Sequence, residues 1–218
     1  MLRYLFSESC LGCGQNTAGG MCPTCTAELA RVPNPCLRCG LAQPVAQCPR
    51  RSAAWHVDAV VAPFVYRPPL DHYVHALKYR GVRALGRALG LAVLPTLGAA
   101  RGEVDALVAV PLHRARLRER GYNQAGEIAR TLAGELKLPL LQRGIERRAA
   151  GPSQTSQSAL QRRASVAHAF AVRRNLGGQR VAIVDDVLTT GATVNALAAA
   201  LRGAGAVRCV VWAVARTG

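Results

Sequence analysis

The chain has 218 residues, half of them apolar, which is enough to bury a core and argues against a disordered polypeptide. It holds no run of about 18 uncharged apolar residues, which argues against a membrane span, and its first apolar run is too short for a signal peptide, so the expected location is the cytoplasm. Lys and Arg number 28 against 12 Asp and Glu, a net charge of +16 that favours phosphate esters and nucleic acid as partners. An Arg-rich proteome explains the bias of Arg over Lys equally well, but explains the excess of cations over anions less well.

In chain order, cysteines come first. Cys10, Cys13, Cys22 and Cys25 have the spacing C-x2-C-x8-C-x2-C. Two such pairs present four thiolates to one tetrahedral ion, and Zn²⁺ takes four. Disulfides compete as an explanation and are the weaker one in a cytosolic chain. Cys36, Cys39 and Cys48 begin a second copy, but the fourth position holds Arg51, which cannot bind a metal. Either His56 substitutes or this knuckle survives without an ion. The segment is rich in Pro, Cys and Gly and needs metal to fold alone at this size. The expected division is a zinc-ribbon module over 1–54 and an α/β domain over 55–218.

The remainder alternates strands and helices. Strands are expected over 57–66, 105–111, 180–186 and 206–215. Helices are expected over 70–79, 82–97, 124–136 and 193–202. Near-continuous apolar strands separated by helices imply a parallel sheet covered on both faces. Ligands of such sheets bind beyond the carboxyl ends of the strands, which selects the turns after Val110 and Val184.

After Val184 come Asp185 and Asp186, then Thr189, Thr190, Gly191, Ala192 and Thr193. Such a loop turns its N–H groups into an anion nest and opens a helix whose positive end adds to it. The two carboxylates would repel a polyanion, so they need another task. Sugar hydroxyls donate to carboxylates, and Mg²⁺ binds carboxylate together with phosphate oxygen. A sugar phosphate, with or without Mg²⁺, meets both requirements.

These residues resemble the ribose-5-phosphate loop of the type I phosphoribosyltransferases. That resemblance implies that Asp185 and Asp186 hold the 2′ and 3′ hydroxyls of phosphoribosyl pyrophosphate, and that Thr189–Thr193 holds its 5-phosphate. The segment from Val110 to Gln124 has Arg114, Arg116, Arg118 and Arg120 before Gly121 and reads as a second anion site, with Arg116, Arg120 and Gly121 on the pyrophosphate side. His113 reads as structural more readily than as a proton donor. Residues 147–163 are polar and suit a lid or a linker.

With Leu77-Lys78-Tyr79, the stretch from Gln154 to Phe170 and the cysteine module, the Val110–Gln124 segment is similar to the ComF family of competence-associated proteins. The resemblance runs from Cys10 to Arg216. It departs at Arg51, at Ser165, where Asn is usual, and at Gln157, where Leu is usual. It implies phosphoribosyl pyrophosphate with Mg²⁺ as ligand, structural zinc, and a role in handling incoming single-stranded DNA beside a DNA-uptake helicase. The competing readings are a phosphoribosyltransferase acting on an unidentified nitrogenous acceptor, and a sensor of phosphoribosyl pyrophosphate. No catalytic residue is assigned, and no acceptor pocket is legible.

Overall fold

Metal-ligand spacing shapes the first segment. In the computed structural model, which describes residues 8–43, 48, 54–148 and 169–218, a two-residue ladder joins β1 (Glu8–Ser9) to β2 (Asn16–Thr17), and α1 (Pro23–Ala27) follows. The Sγ atoms of Cys10, Cys13, Cys22 and Cys25 all lie within 4.8 Å of one another, and Cys13 Sγ is 3.7 Å from Cys22 Sγ. A tetrahedral zinc with bonds near 2.3 Å has sulfurs about 3.8 Å apart. Burial opposes ionisation of the Cys10 thiol, but N–H groups of Cys22, Cys13 and Gly12 outweigh it and hold Cys10 down at about 6. The neighbouring Cys13 sulfur and burial push Cys25 up. Four such thiols cannot ionise together unless a cation lies among them, so the cluster fits a metal ion.

Cys36, Cys39 and Cys48 form a second group with sulfurs within the same 4.8 Å. His56 is not among them. Its backbone N–H donates to Asn195 Oδ1 at 2.7 Å, and its carbonyl accepts from Arg202 Nε at 3.0 Å. Arg51 lies outside the described residues.

The apolar runs build one parallel sheet. Its order is β3 (Ala59–Val61), β9 (Arg208–Arg216), β8 (Arg180–Leu188), β5 (Ala106–Ala109), and β4 (Phe64–Val65) also pairs with β9. Successive side chains of a strand point to opposite faces. Ala182 and Val184 of β8 therefore join one core with α2 (Leu70–Tyr79), α3 (Ala84–Val93) and α5 (Gln124–Leu136). Val181 and Ile183 join the other with α6 (Ala192–Gly203) and with the hairpin of β6 (Ile145–Arg147) and β7 (Phe170–Val172). The first core also takes in Cys10, Met21, Cys22, Cys25 and Leu29, so the cysteine segment packs directly on the sheet's helical layer. Gly86 brings α3 close to α5, since a Cβ there would lie 2.4 Å from Glu127 Cβ.

The structure departs from the sequence reading in five places. The expected strand 57–66 divides into β3 and β4 around Pro63, which has no N–H for the ladder. The expected helix 82–97 ends at Val93, and 3₁₀ turns carry the chain from Leu94 to Glu103 through Gly98 at φ 48°. The expected anion loop is a short helix, α4 (Arg114–Arg120), between an Nδ1 cap from His113 and Gly121 at φ 79°. β8 runs on past Asp186 to Leu188, because Val187 and Leu188 still pair with Ala215 and Arg216. The β6–β7 hairpin has no counterpart in the expected elements. The expected lid over 147–163 lies outside the described residues from 149 onward, as do Gln157 and Ser165. Among the described residues no helix is long and apolar enough to cross a membrane.

The cysteine geometry predicts that the purified chain carries at least one metal ion per molecule by elemental analysis. Cys10→Ser should lower the melting temperature by about 10 °C, because a metal contributes several kcal/mol to a segment with little core of its own. A metal-free protein that melts unchanged would contradict this.

Candidate functional site

The carboxyl ends of β5 and β8 open on a cavity of about 180 Å³. Asp185, Asp186, Thr193, Arg116 and Arg120 all line it, so five of the expected ligand residues meet there. Asn123, Gln124, Arg147, Lys78 and Tyr79 complete the polar wall. Gly121 lines a neighbouring cavity instead. Thr189, Thr190, Gly191 and Ala192 line neither; they form the turn between β8 and α6.

The acid pair is the densest charge in the cavity. Strand alternation turns Asp186 toward α2 and Asp185 toward α6. Asp186 is 6% exposed, and Lys78 Nζ reaches its Oδ2 at 2.8 Å. Asp185 is half-buried. Burial, and then the adjacent Asp186 carboxylate, push the Asp185 carboxyl up to about 8. The backbone supports the pair: Asp186 N–H donates to Asp185 Oδ1 at 2.9 Å, and Val187 N–H donates to Asp186 Oδ1 at 2.8 Å. The cavity therefore sets four cations, Lys78, Arg116, Arg120 and Arg147, against two carboxyls, one of which keeps its proton near neutrality. Arg120 also lies 5.1 Å over the ring of the exposed Tyr79.

The turn after β8 is held from beneath. Gly191 begins α6 at φ 77°, and a Cβ there would lie 2.7 Å from the Trp55 ring. Trp55 Nε1 donates to Arg38 O at 3.2 Å, inside the second cysteine knuckle. Arg216 is 6% exposed. Its guanidinium donates to the carbonyls of Leu188 at 2.8 Å, of Thr189, and of Cys39 at 3.2 Å. Ala192 N–H donates to Thr190 Oγ1 at 3.3 Å and closes the turn. The second knuckle and the β8–α6 turn thus share one buried arginine.

Sequence reasoning missed Lys78 as a partner of Asp186, although Leu77-Lys78-Tyr79 stood within the family resemblance. It also missed Trp55 and Arg216, which carry no motif. A cationic residue in the last turn of an amphipathic helix is ordinary, and only the fold shows where it points.

Residues 117–217 match the phosphoribosyl transferase domain family. Competence protein F of Haemophilus influenzae is 31% identical over 99% of this chain and 100% of its own length. The chain belongs to the ComF family. Two further members, both DNA utilization protein YhgH, are 32% identical in Escherichia coli O157:H7 and 31% in strain K12, each over 91% of both chains. A purine phosphoribosyltransferase from Pyrococcus horikoshii Ot3 superposes with a TM-score of 0.36 at 20% identity, over 60% of this chain and 80% of that one.

The elevated Asp185 carboxyl sets a pH dependence. Between the ordinary value of 3.8 and about 8, the folded state holds a proton that the unfolded chain has lost. Stability therefore falls as pH rises through that window. Asp185→Asn should flatten this slope and melt above the wild type at pH 8, with ligand and divalent cations absent. A variant that melts below wild type there would contradict the assignment.

Proposed function

We propose that the chain binds phosphoribosyl pyrophosphate, or a closely related sugar phosphate, in the cavity at the carboxyl ends of β5 and β8. The observation that carries this reading is the Asp185–Asp186 pair, facing a small cavity whose remaining charges are cations. Carboxylates among cations fit a ligand that brings both hydroxyls and phosphates.

Each group then has a task. Asp186, held by Lys78 at 2.8 Å, accepts from one ribose hydroxyl, and Asp185 meets the other. The turn Thr189, Thr190, Gly191, Ala192, Thr193 offers N–H and hydroxyl donors to the 5-phosphate, at the start of α6. Arg116 and Arg120 face the pyrophosphate, and their planar forks match its oxygens. Gly121 ends α4 and fixes where Arg120 stands. Mg²⁺ fits the donor set through Asp185, whose proton is the one a cation would displace, and bound there it neutralises pyrophosphate charge. The four-thiol cluster fits structural zinc, which suits an all-sulfur tetrahedral site. Cys36, Cys39 and Cys48 supply three of the four donors for a second ion.

The cellular role that fits is handling of incoming single-stranded DNA in natural transformation, in the cytoplasm and beside a DNA-uptake helicase. The relatives are named for competence and DNA utilization, and a net charge of +16 suits a phosphate backbone. The cysteine segment to residue 54 and the α/β domain from residue 55 act as one binding unit.

Calorimetric titration with phosphoribosyl pyrophosphate and Mg²⁺ tests the ligand. Asp185→Ala with Asp186→Ala should weaken binding at least about a hundredfold, since each lost charge-assisted hydrogen bond is worth about 1.5–3 kcal/mol. The melting temperature should hold or rise. Wild-type affinity in the double variant would overturn the reading. Single-stranded DNA affinity should fall steeply with salt, with a logarithmic slope of about 0.7 per phosphate contact; a flat response would remove the nucleic-acid part.

A further inference from the structure

A second and larger cavity, of about 410 Å³, adjoins the first, and the two share Leu112, Asn123 and Arg147 in their walls. It lies between α4, the start of α5 and the β6 strand. Small residues keep it open: Ala109 ends β5 beneath it, and Gly126 presents no side chain from α5. Its volume lies within the range of about 300–1,000 Å³ usual for small-molecule sites. The sugar-phosphate reading assigns nothing to it beyond Gly121 at its edge.

The walls are of two kinds. Pro111, Leu112, Leu141 and Ile145 give an apolar floor, with Leu141 and Ile145 buried. Arg83, Arg114, Arg130 and Arg147 supply cations around it. Arg83 and Arg130 both reach Glu127 at 2.7 Å, so two cations share one carboxylate and leave a charge over. Arg114 pairs with Glu146 at 3.4 Å with both side chains largely exposed, a contact of little strength. Arg147 lies 5.7 Å over the Phe170 ring. The cations therefore exceed the carboxylates that meet them.

One polar atom on the shared wall lacks a donor among the described residues. Asn123 Nδ2 donates to Val110 O at 2.9 Å, which fixes the amide's orientation. Among the described residues nothing donates to Asn123 Oδ1, which is buried. A buried carbonyl oxygen left bare is destabilising, so its complement is a ligand N–H or O–H. Inorganic phosphate would satisfy the guanidinium groups but would leave the floor empty.

We infer that this cavity binds a nucleoside monophosphate unit. The planar base lies on the apolar floor, an amine or hydroxyl donates to Asn123 Oδ1, and the phosphate meets Arg114 and Arg130. A free nucleotide and the terminal nucleotide of a single strand carry the same chemistry. The site is one of binding, and it stands independently of the sugar-phosphate reading next door.

The test uses adenosine 5′-monophosphate with the full chain carrying Asp185→Ala and Asp186→Ala, which disables the first cavity. Binding should persist there, should be weaker for adenosine and for inorganic phosphate, and should fall about tenfold on adding Arg114→Ala and Arg130→Ala. Arg130 is a surface side chain outside the 110–124 segment, and Arg130→Ala alone should leave phosphoribosyl pyrophosphate binding to the otherwise wild-type chain unchanged. Photolabelling of the wild type with 8-azidoadenosine monophosphate, which needs no variant, should mark peptides within 109–147. A 5′-phosphorylated oligonucleotide that binds more tightly than the mononucleotide identifies a strand end as the source, and equal affinity identifies a free nucleotide. The inference is overturned if mononucleotide binding is absent, vanishes with the aspartates, is matched by phosphate alone, survives the arginine changes undiminished, or labels only 185–193.

Discussion

Two carboxyls side by side in a buried strand are the constraint on which the rest of the structure turns. Neither can be left charged and bare where β8 runs between β5 and β9. Desolvation and mutual repulsion would each disfavour the ionised pair. The structure meets this with one proton and one cation: Asp185 holds its proton to about 8, and Lys78 reaches Asp186 at 2.8 Å. Lys78 can do so only because α2 is fixed on the sheet. Leu70, Val74 and Leu77 of that helix are fully buried, and the Tyr122 hydroxyl donates to Leu77 O. Helix packing on one face of the sheet thus places a cation against the acid pair in the cavity at its end.

The second coupling runs through Arg216. A buried guanidinium stands among backbone carbonyls, which belong to the end of β8, the turn after it, Thr217 and Cys39. Trp55 repeats the connection, packing on Gly191 while donating to Arg38 O. The cysteine segment is therefore part of the support for the anion turn.

Much of this was legible in the sequence where burial is periodic. The helices over 70–79 and 124–136 were expected with the bounds observed, because apolar stripes at helical spacing end at clear polar or glycine positions. The acid pair was legible because charges following four apolar strand residues need a reason. The basic segment was harder. Four arginines in seven residues look like a loop, yet His113 caps and Gly121 terminates a helix there. The β6–β7 hairpin pairs residues on either side of a long intervening stretch and carries only three residues per strand, too few for an alternation to show. Lys78 and Asp186 lie far apart in the chain, and nothing local to either announces the other.

The account rests on burial and the adjacent Asp186 carboxylate holding the Asp185 carboxyl above its ordinary value, with Lys78 working against them. Carboxyl carbon NMR of Asp185, followed across pH in the ligand-free protein, reads this directly. The midpoint should lie near 8 in the wild type, and should move higher in Lys78→Met, since the lysine is one of the groups that lowers it. A midpoint at the ordinary value near 3.8 in both proteins would contradict the account.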